Sequence, residues 1–330
     1  MTQAISLETA EGRPAVAVRL FGWLVVAALA AFLVNSWLTF VSGWPGAAGS
    51  FAGDDRRAWL QLLLYPAAAA VAAAYVLSTR TLTLRRDSAR LTHFVIWLVR
   101  CGFWAVLLVG LVDAAISFLR VEGLLPAVVG EQLATELGRP HYRGMVVHVP
   151  LLLSGFVLGS LTRRTLGFPW LALLVVVAEL AIVVSRFVFS YEQAFMGDLV
   201  RFWYGALFLF ASAYTLLEEG HVRVDVLYAG FDDRTRGAVN AIGSILLGMT
   251  FCWTILLVGF ANRSAVIASP LFNFEISQSG FGLYVKYLMA GYLALFAVTM
   301  LLQFVAYLFE SVADWRGEPG GRPHEAARAA

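Results

Sequence analysis

Three ionisable side chains stand out because apolar residues surround them: Glu179, Arg186 and Lys286, the last being the single lysine of the chain. A charge at the centre of a membrane helix costs about 2.5–3.5 kcal/mol on insertion scales, so such groups face protein or water. A carboxylate with two cations can make an ion, proton or organic-anion site. The same three groups can equally make salt bridges that hold helices together. Glu179 and Arg186 are seven residues apart, on one helix face but about 10.5 Å apart along the axis at 1.5 Å per residue. That is too far for an easy direct pair. Partners on other helices are therefore expected, and an ion pair from Glu179 to Lys286 or Arg186 is the structural reading. Asp113 is a further intramembrane charge, with Arg100 nearer a span end.

Other chemistries find little support. His148 is the one histidine clearly within an apolar run, so paired axial haem ligands are not supplied. There is no GxxxxGK[ST], HExxH or GxSxG, which removes P-loop hydrolysis and two common hydrolase designs. Cys101 and Cys252 lie far apart in apolar runs and read as small hydrophobes. No enzyme activity and no bound cofactor are expected, and nothing suggests nucleic-acid binding. Gly155 and Gly159 form a GxxxG pair, which lets a second helix approach closely. The most informative polar stretch is LEEGHVRVDVLY, Leu217–Tyr228, where His221, Arg223 and Asp225 alternate with valines. Period-two alternation suits an extended segment with one apolar side; a plain connector is the alternative.

The elements that must position these groups are membrane helices. The chain is 60% hydrophobic and 14% charged, against about 45–50% and about 25% for soluble domains. Runs near the 20 residues needed to cross a bilayer fall at Leu20–Val41, Trp59–Ser78, Phe94–Leu119, Arg143–Leu161, Phe168–Ser190, Leu199–Leu217, Ala238–Phe260 and Phe281–Phe309. They predict an all-α integral membrane protein of eight spans. Fourteen of the 24 Lys and Arg residues fall in segments on the side of the N-terminus and six in loops opposite. The positive-inside rule then places both termini in the cytoplasm. The first run exceeds the 7–15 apolar residues of a signal peptide, which favours a retained span.

The chain divides near Gly167. Residues 1–19 form a cytoplasmic segment, 20–167 a four-helix membrane extension, 168–310 a second four-helix domain, and 311–330 a cytoplasmic tail read as disordered. Between the third and fourth spans, Glu122–Gly138 carries apolar residues at helical spacing and reads as a short interfacial amphipathic helix.

The second half resembles a known family. SRFVFS (Ser185–Ser190), Asp198, EEGHVRVDVLY (Glu218–Tyr228), FEISQSGFGLYVKY (Phe274–Tyr287) and LLQFVAYLFE (Leu301–Glu310) occur in order. This set resembles the DctQ-type small subunit of tripartite ATP-independent periplasmic (TRAP) transporters. Glu275, Ser277, Lys286 and Gln303 match positions that recur in the subgroup for mannitol or chloroaromatic compounds. The likeness spans Phe168 to Glu310 and is silent on Leu20–Leu161. The connection Tyr191–Leu199 lacks the tryptophan and paired acids common in the family.

The resemblance implies a small permease subunit in the bacterial inner membrane. It would brace a large DctM-type subunit that imports an organic acid or related solute from a periplasmic binding protein. The Na+ or H+ gradient is coupled through that large partner, and lipids are the other contact. His221, Arg223, Asp225, Glu179, Arg186, Lys286 and Glu275 become subunit-interface or structural candidates. The rival is a self-sufficient carrier built on Glu179, Arg186 and Lys286.

Overall fold

The computed structural model describes residues 14–51, 53, 55–162, 168–217, 228–277 and 282–320. Its principal helices are α1 (Val16–Phe40), α2 (Arg56–Ser78), α3 (Leu84–Val121), α4 (Leu125–Val129), α5 (Glu131–Leu137), α6 (Pro140–Leu161), α7 (Phe168–Phe189), α8 (Ala194–Leu217), α9 (Asp233–Gly259), α10 (Ala268–Phe272) and α11 (Lys286–Trp315). No strand occurs among the described residues. Lipid offers no partner for exposed backbone groups, so helices are the form such apolar runs must take. Eight of them (α1, α2, α3, α6, α7, α8, α9 and α11) are long and apolar enough to span a bilayer. The all-α, eight-span reading of the sequence holds.

Several boundaries differ from the hydropathy runs, each for a local reason. Helix α3 starts at Leu84, ten residues before its apolar run; Arg85 and Asp87 in its first turn are buried and paired with Glu310 and Arg19. Helix α8 begins at Ala194 and takes Asp198 into the helix, while α11 begins only at Lys286. The interfacial segment is two short helices, α4 and α5, separated at Gly130 with φ +85°, a conformation glycine adopts without steric cost. Residues 311–315 continue α11, and Glu318 beyond it is buried.

The chain forms two compact units. One comprises the described residues of Met1–Val95, Thr215–Thr254 and Met300–Ala330. Between membrane helices there is little hydrophobic driving force, so small residues and close van der Waals contact do the packing. A Cβ on Gly22 of α1 would come 2.4 Å from the Phe309 ring of α11, and one on Gly248 of α9 2.5 Å from Phe304. Gly237 of α9 faces the α11 backbone, with Trp315 N 2.5 Å from an added Cβ.

The other unit comprises the described residues of Ile96–Tyr214 and Ile255–Thr299. Here α3 has two notched faces. Cys101 and Ala105 receive Gly159 and Gly155 of α6, whose added Cβ atoms would meet the α3 backbone at 2.6–2.8 Å. Gly102 and Gly110 receive Phe210 and Trp203 of α8. Phe103, Phe202, Trp203, Phe210, Tyr287 and Tyr292 then form an aromatic core.

Candidate functional site

The second unit holds a cluster of fully buried polar side chains where α3 nears its end and α6 and α11 begin. Asp113 of α3, Arg143 and His148 of α6, and Ser117 are each 0% exposed. Arg143 Nε lies 2.5 Å from Asp113 Oδ1, and His148 Nε2 lies 2.8 Å from the same oxygen. Asp113 Oδ2 accepts the backbone N–H of Tyr284 at 2.8 Å. Arg143 Nη2 donates to Ser117 Oγ and to the Asp113 carbonyl, both at 2.8 Å. His148 Nδ1 lies 2.7 Å from the Tyr287 hydroxyl. A neutral imidazole protonated on Nε2 satisfies both of its contacts, donating to the carboxylate and accepting from Tyr287.

Local backbone geometry makes this convergence possible. Positions five apart on a regular α-helix point about 140° apart, so Arg143 and His148 would diverge. Residues Gly144–His148 form a π turn instead, whose i→i+5 bonding swings both side chains towards Asp113. Gly144 lies against the Phe274 ring, where an added Cβ would come within 2.2 Å. Tyr284 completes the cluster: Arg143 and Arg120 both lie against its ring, Cζ to centroid 4.6 and 4.7 Å. Its hydroxyl donates to Gly138 O at 2.9 Å. With Asp113, Arg143 and His148 fully buried, the cluster works as a joint between helices.

A second polar joint lies in the first unit. Arg19 Nε of α1 contacts Asp87 Oδ2 at 2.6 Å, both side chains being fully buried. Trp23 Nε1 donates to the same oxygen at 3.0 Å, and Arg19 also reaches the Thr79 hydroxyl. Arg85 bridges to Glu310 at 2.6 Å and Asp314 at 2.8 Å, and it donates to the carbonyls of Glu318 and Pro319. The last part of α11 and the residues just beyond it are therefore tied to α3.

Those residues singled out from the sequence that are described do not converge. Lys286 pairs with Glu275 at 2.5 Å, and both are about half exposed. Arg186 approaches Glu192 at 3.4 Å. Glu179 is exposed on α7 and forms no ion pair or hydrogen bond among the described residues, so the anticipated pair with Arg186 or Lys286 is replaced by two shorter-range pairs. Each cation finds a carboxylate close by in sequence, which costs less chain ordering than a partner on a distant helix. Asp198 holds the approach to α11, accepting from Leu283 N at 3.1 Å and Ser277 Oγ at 3.4 Å. His221, Arg223 and Asp225 lie outside the described residues. Arg143 and Tyr284 were not visible as site residues from sequence. The nearest signal was Asp113, a buried acid that had to have a partner.

Among the described residues, eight helices long and apolar enough to cross a bilayer define a multi-pass membrane protein, and its pairs Arg19–Asp87 and Arg143–Asp113 are fully buried. Residues 172–314 match the model of the family described as Tripartite ATP-independent periplasmic transporters, DctQ component. That stretch, from within α7 to the last turn of α11, is a DctQ domain, and the chain carries it behind four further spans. Comparison with curated proteins and with solved structures gave no match.

Proposed function

We propose that the chain is the small permease subunit of a TRAP-type secondary transporter, bracing a large ion-coupled subunit of the DctM type. The observation that carries this reading is the DctQ match across residues 172–314. In this reading a periplasmic binding protein delivers an organic acid or related solute. A Na+ or H+ gradient drives uptake through the large subunit. The membrane is the bacterial inner membrane, and the arginine bias of the loops supports cytoplasmic termini.

The geometry supports a bracing role more than a carrier role for this chain. Lys286 and Arg186 are engaged with Glu275 and Glu192, and the buried Asp113 cluster is closed. The extension α1–α6 is joined to the DctQ domain by the Arg85 bridges in one unit and the Asp113 contacts in the other. Residues 217–228, with His221, Arg223 and Asp225, are the loop we assign to contact with the large subunit on the cytoplasmic side.

The test is solute uptake in proteoliposomes under an imposed Na+ or H+ gradient. Uptake requiring this chain, a large subunit and a binding protein together supports the assignment. Uptake by this chain alone overturns it in favour of a carrier.

A further inference from the structure

Among the described residues, one carboxylate has no partner in a place where that is costly. Glu179 is exposed on α7 and lies near the middle of the apolar window Trp170–Phe189. At 1.5 Å per residue it sits about 14 Å from either end of that window, deep in a hydrocarbon core about 30 Å thick. A glutamate side chain is too short to reach water from that depth, unlike the long Lys and Arg stems that snorkel. Lipid tails supply neither a counter-charge nor a hydrogen bond. Among the described residues no ion pair or hydrogen bond to Glu179 is formed.

The rest of α7 shows which side awaits a partner. Leu171 and Ala178 are buried against the aromatic core, and Leu174 and Val175 pack beside them. Val176, Val183 and Phe187, at three residues before and four and eight after Glu179, are 60%, 48% and 79% exposed. They form with it one stripe along the helix. Only 11% of the α7 window is buried, against 50% for α11.

We infer that this stripe is the surface on which the large membrane subunit docks, with a cationic side chain of that subunit meeting Glu179 inside the bilayer. The inference rests on the assignment above and names the surface and its chemistry. Charge complementarity selects this occupant over a second copy of the chain. A two-fold axis normal to the membrane keeps residues at their own depth, so the stripe would set Glu179 against Glu179. The one cation on α7, Arg186, lies about 10.5 Å further along the axis and is engaged with Glu192.

The experiment places a photo-reactive amino acid singly at Val176, Val183, Leu153 of α6 or Val71 of α2 in the full-length chain, coexpressed with the large subunit. All four positions are exposed. Crosslinks to the large subunit from Val176 and Val183 alone are expected. In parallel, Glu179→Arg should reduce recovered large subunit at least about tenfold, while Glu179→Gln lowers it less and both variants keep the thermal unfolding of the parent chain. Should Glu179→Arg fail to fold, the crosslinks and Glu179→Gln still decide. Crosslinks from Leu153 or Val71 but not from α7 would overturn the docking surface and leave the bracing role intact. Crosslinks between two copies through α7 would overturn it in favour of a dimer. If the unmodified chain recovers no large subunit, both the surface and the bracing role fall.

Discussion

Asp113 accepts the backbone N–H of Tyr284 at 2.8 Å, joining residues 171 positions apart in sequence. The acid belongs to the four-span extension and the tyrosine to the DctQ domain. One buried carboxylate thus fastens the two parts of the chain; Arg143 compensates its charge and His148 lies within hydrogen-bond distance of the same oxygen. Because the acceptor's partner is a main-chain group, the joint fixes the path of the chain into α11 as well as the position of a side chain.

Removing one member of a buried ion pair strands the other and costs about 3–5 kcal/mol, whereas replacing both by apolar groups is often close to neutral. Arg143→Met should therefore lower the apparent melting temperature in detergent sharply. Arg143→Met combined with Asp113→Leu should recover part of the loss, though not all, since Tyr284 N and His148 still lose their acceptor. A double variant as unstable as the sum of the singles would show that the pair carries no coupling.

That joint shows what the sequence reveals and what it hides. The spans are legible because apolar run length is a direct physical requirement of the bilayer. Asp113 is legible as a costly charge, but its partners are not. Arg143 looks like a loop arginine at the edge of a span, and only the π turn at Gly144–His148 turns it inward. Tyr284 meets Asp113 through its backbone N–H, a contact that leaves no trace in residue type. Glu179 fails in the opposite way: its depth is plain from sequence, but Lys286 is taken by Glu275 eleven residues earlier. The family strings were legible from their order, and the match to residues 172–314 agrees with them.

Two glycines of the same type should respond oppositely to alanine. At Gly155 the new Cβ would sit 2.6 Å from the Ala105 backbone nitrogen, which cannot yield, and overpacking of this kind costs about 1–3 kcal/mol. At Gly243, within α9, nothing lies within 4 Å, and alanine should stabilise by roughly 0.5–1 kcal/mol through helix propensity. Thermal unfolding of the two variants in one detergent checks the opposite signs.

Arg85→Met releases Glu310, Asp314 and the carbonyls of Glu318 and Pro319 at once. The expected result is faster proteolysis just beyond α11, with cleavage elsewhere unchanged. Identical cleavage kinetics in parent and variant would mean that Arg85 does not anchor this region.

Tyr191 lies between α7 and α8 and donates to Glu122 Oε1 at 2.6 Å. Burial first, and then the hydrogen bond and charge of Glu122, push its hydroxyl up to about 12. A raised folded-state value means that the contact contributes fully below the ordinary tyrosine value near 10 and is lost as pH rises through about 12. The tyrosinate absorbance titration of the parent chain minus that of Tyr191→Phe should show a midpoint near 12. Glu122→Gln should move it only part way down, because burial is the larger cause. A midpoint near 10 would contradict the contact.

The central claim is that this chain works as part of a larger assembly. It is tested most directly by tagging the chain, extracting it from native membranes in mild detergent, and identifying by mass spectrometry what accompanies it. The account predicts a large multi-span permease in stoichiometric amount. Recovery of this chain alone, still able to move solute in liposomes, would contradict it.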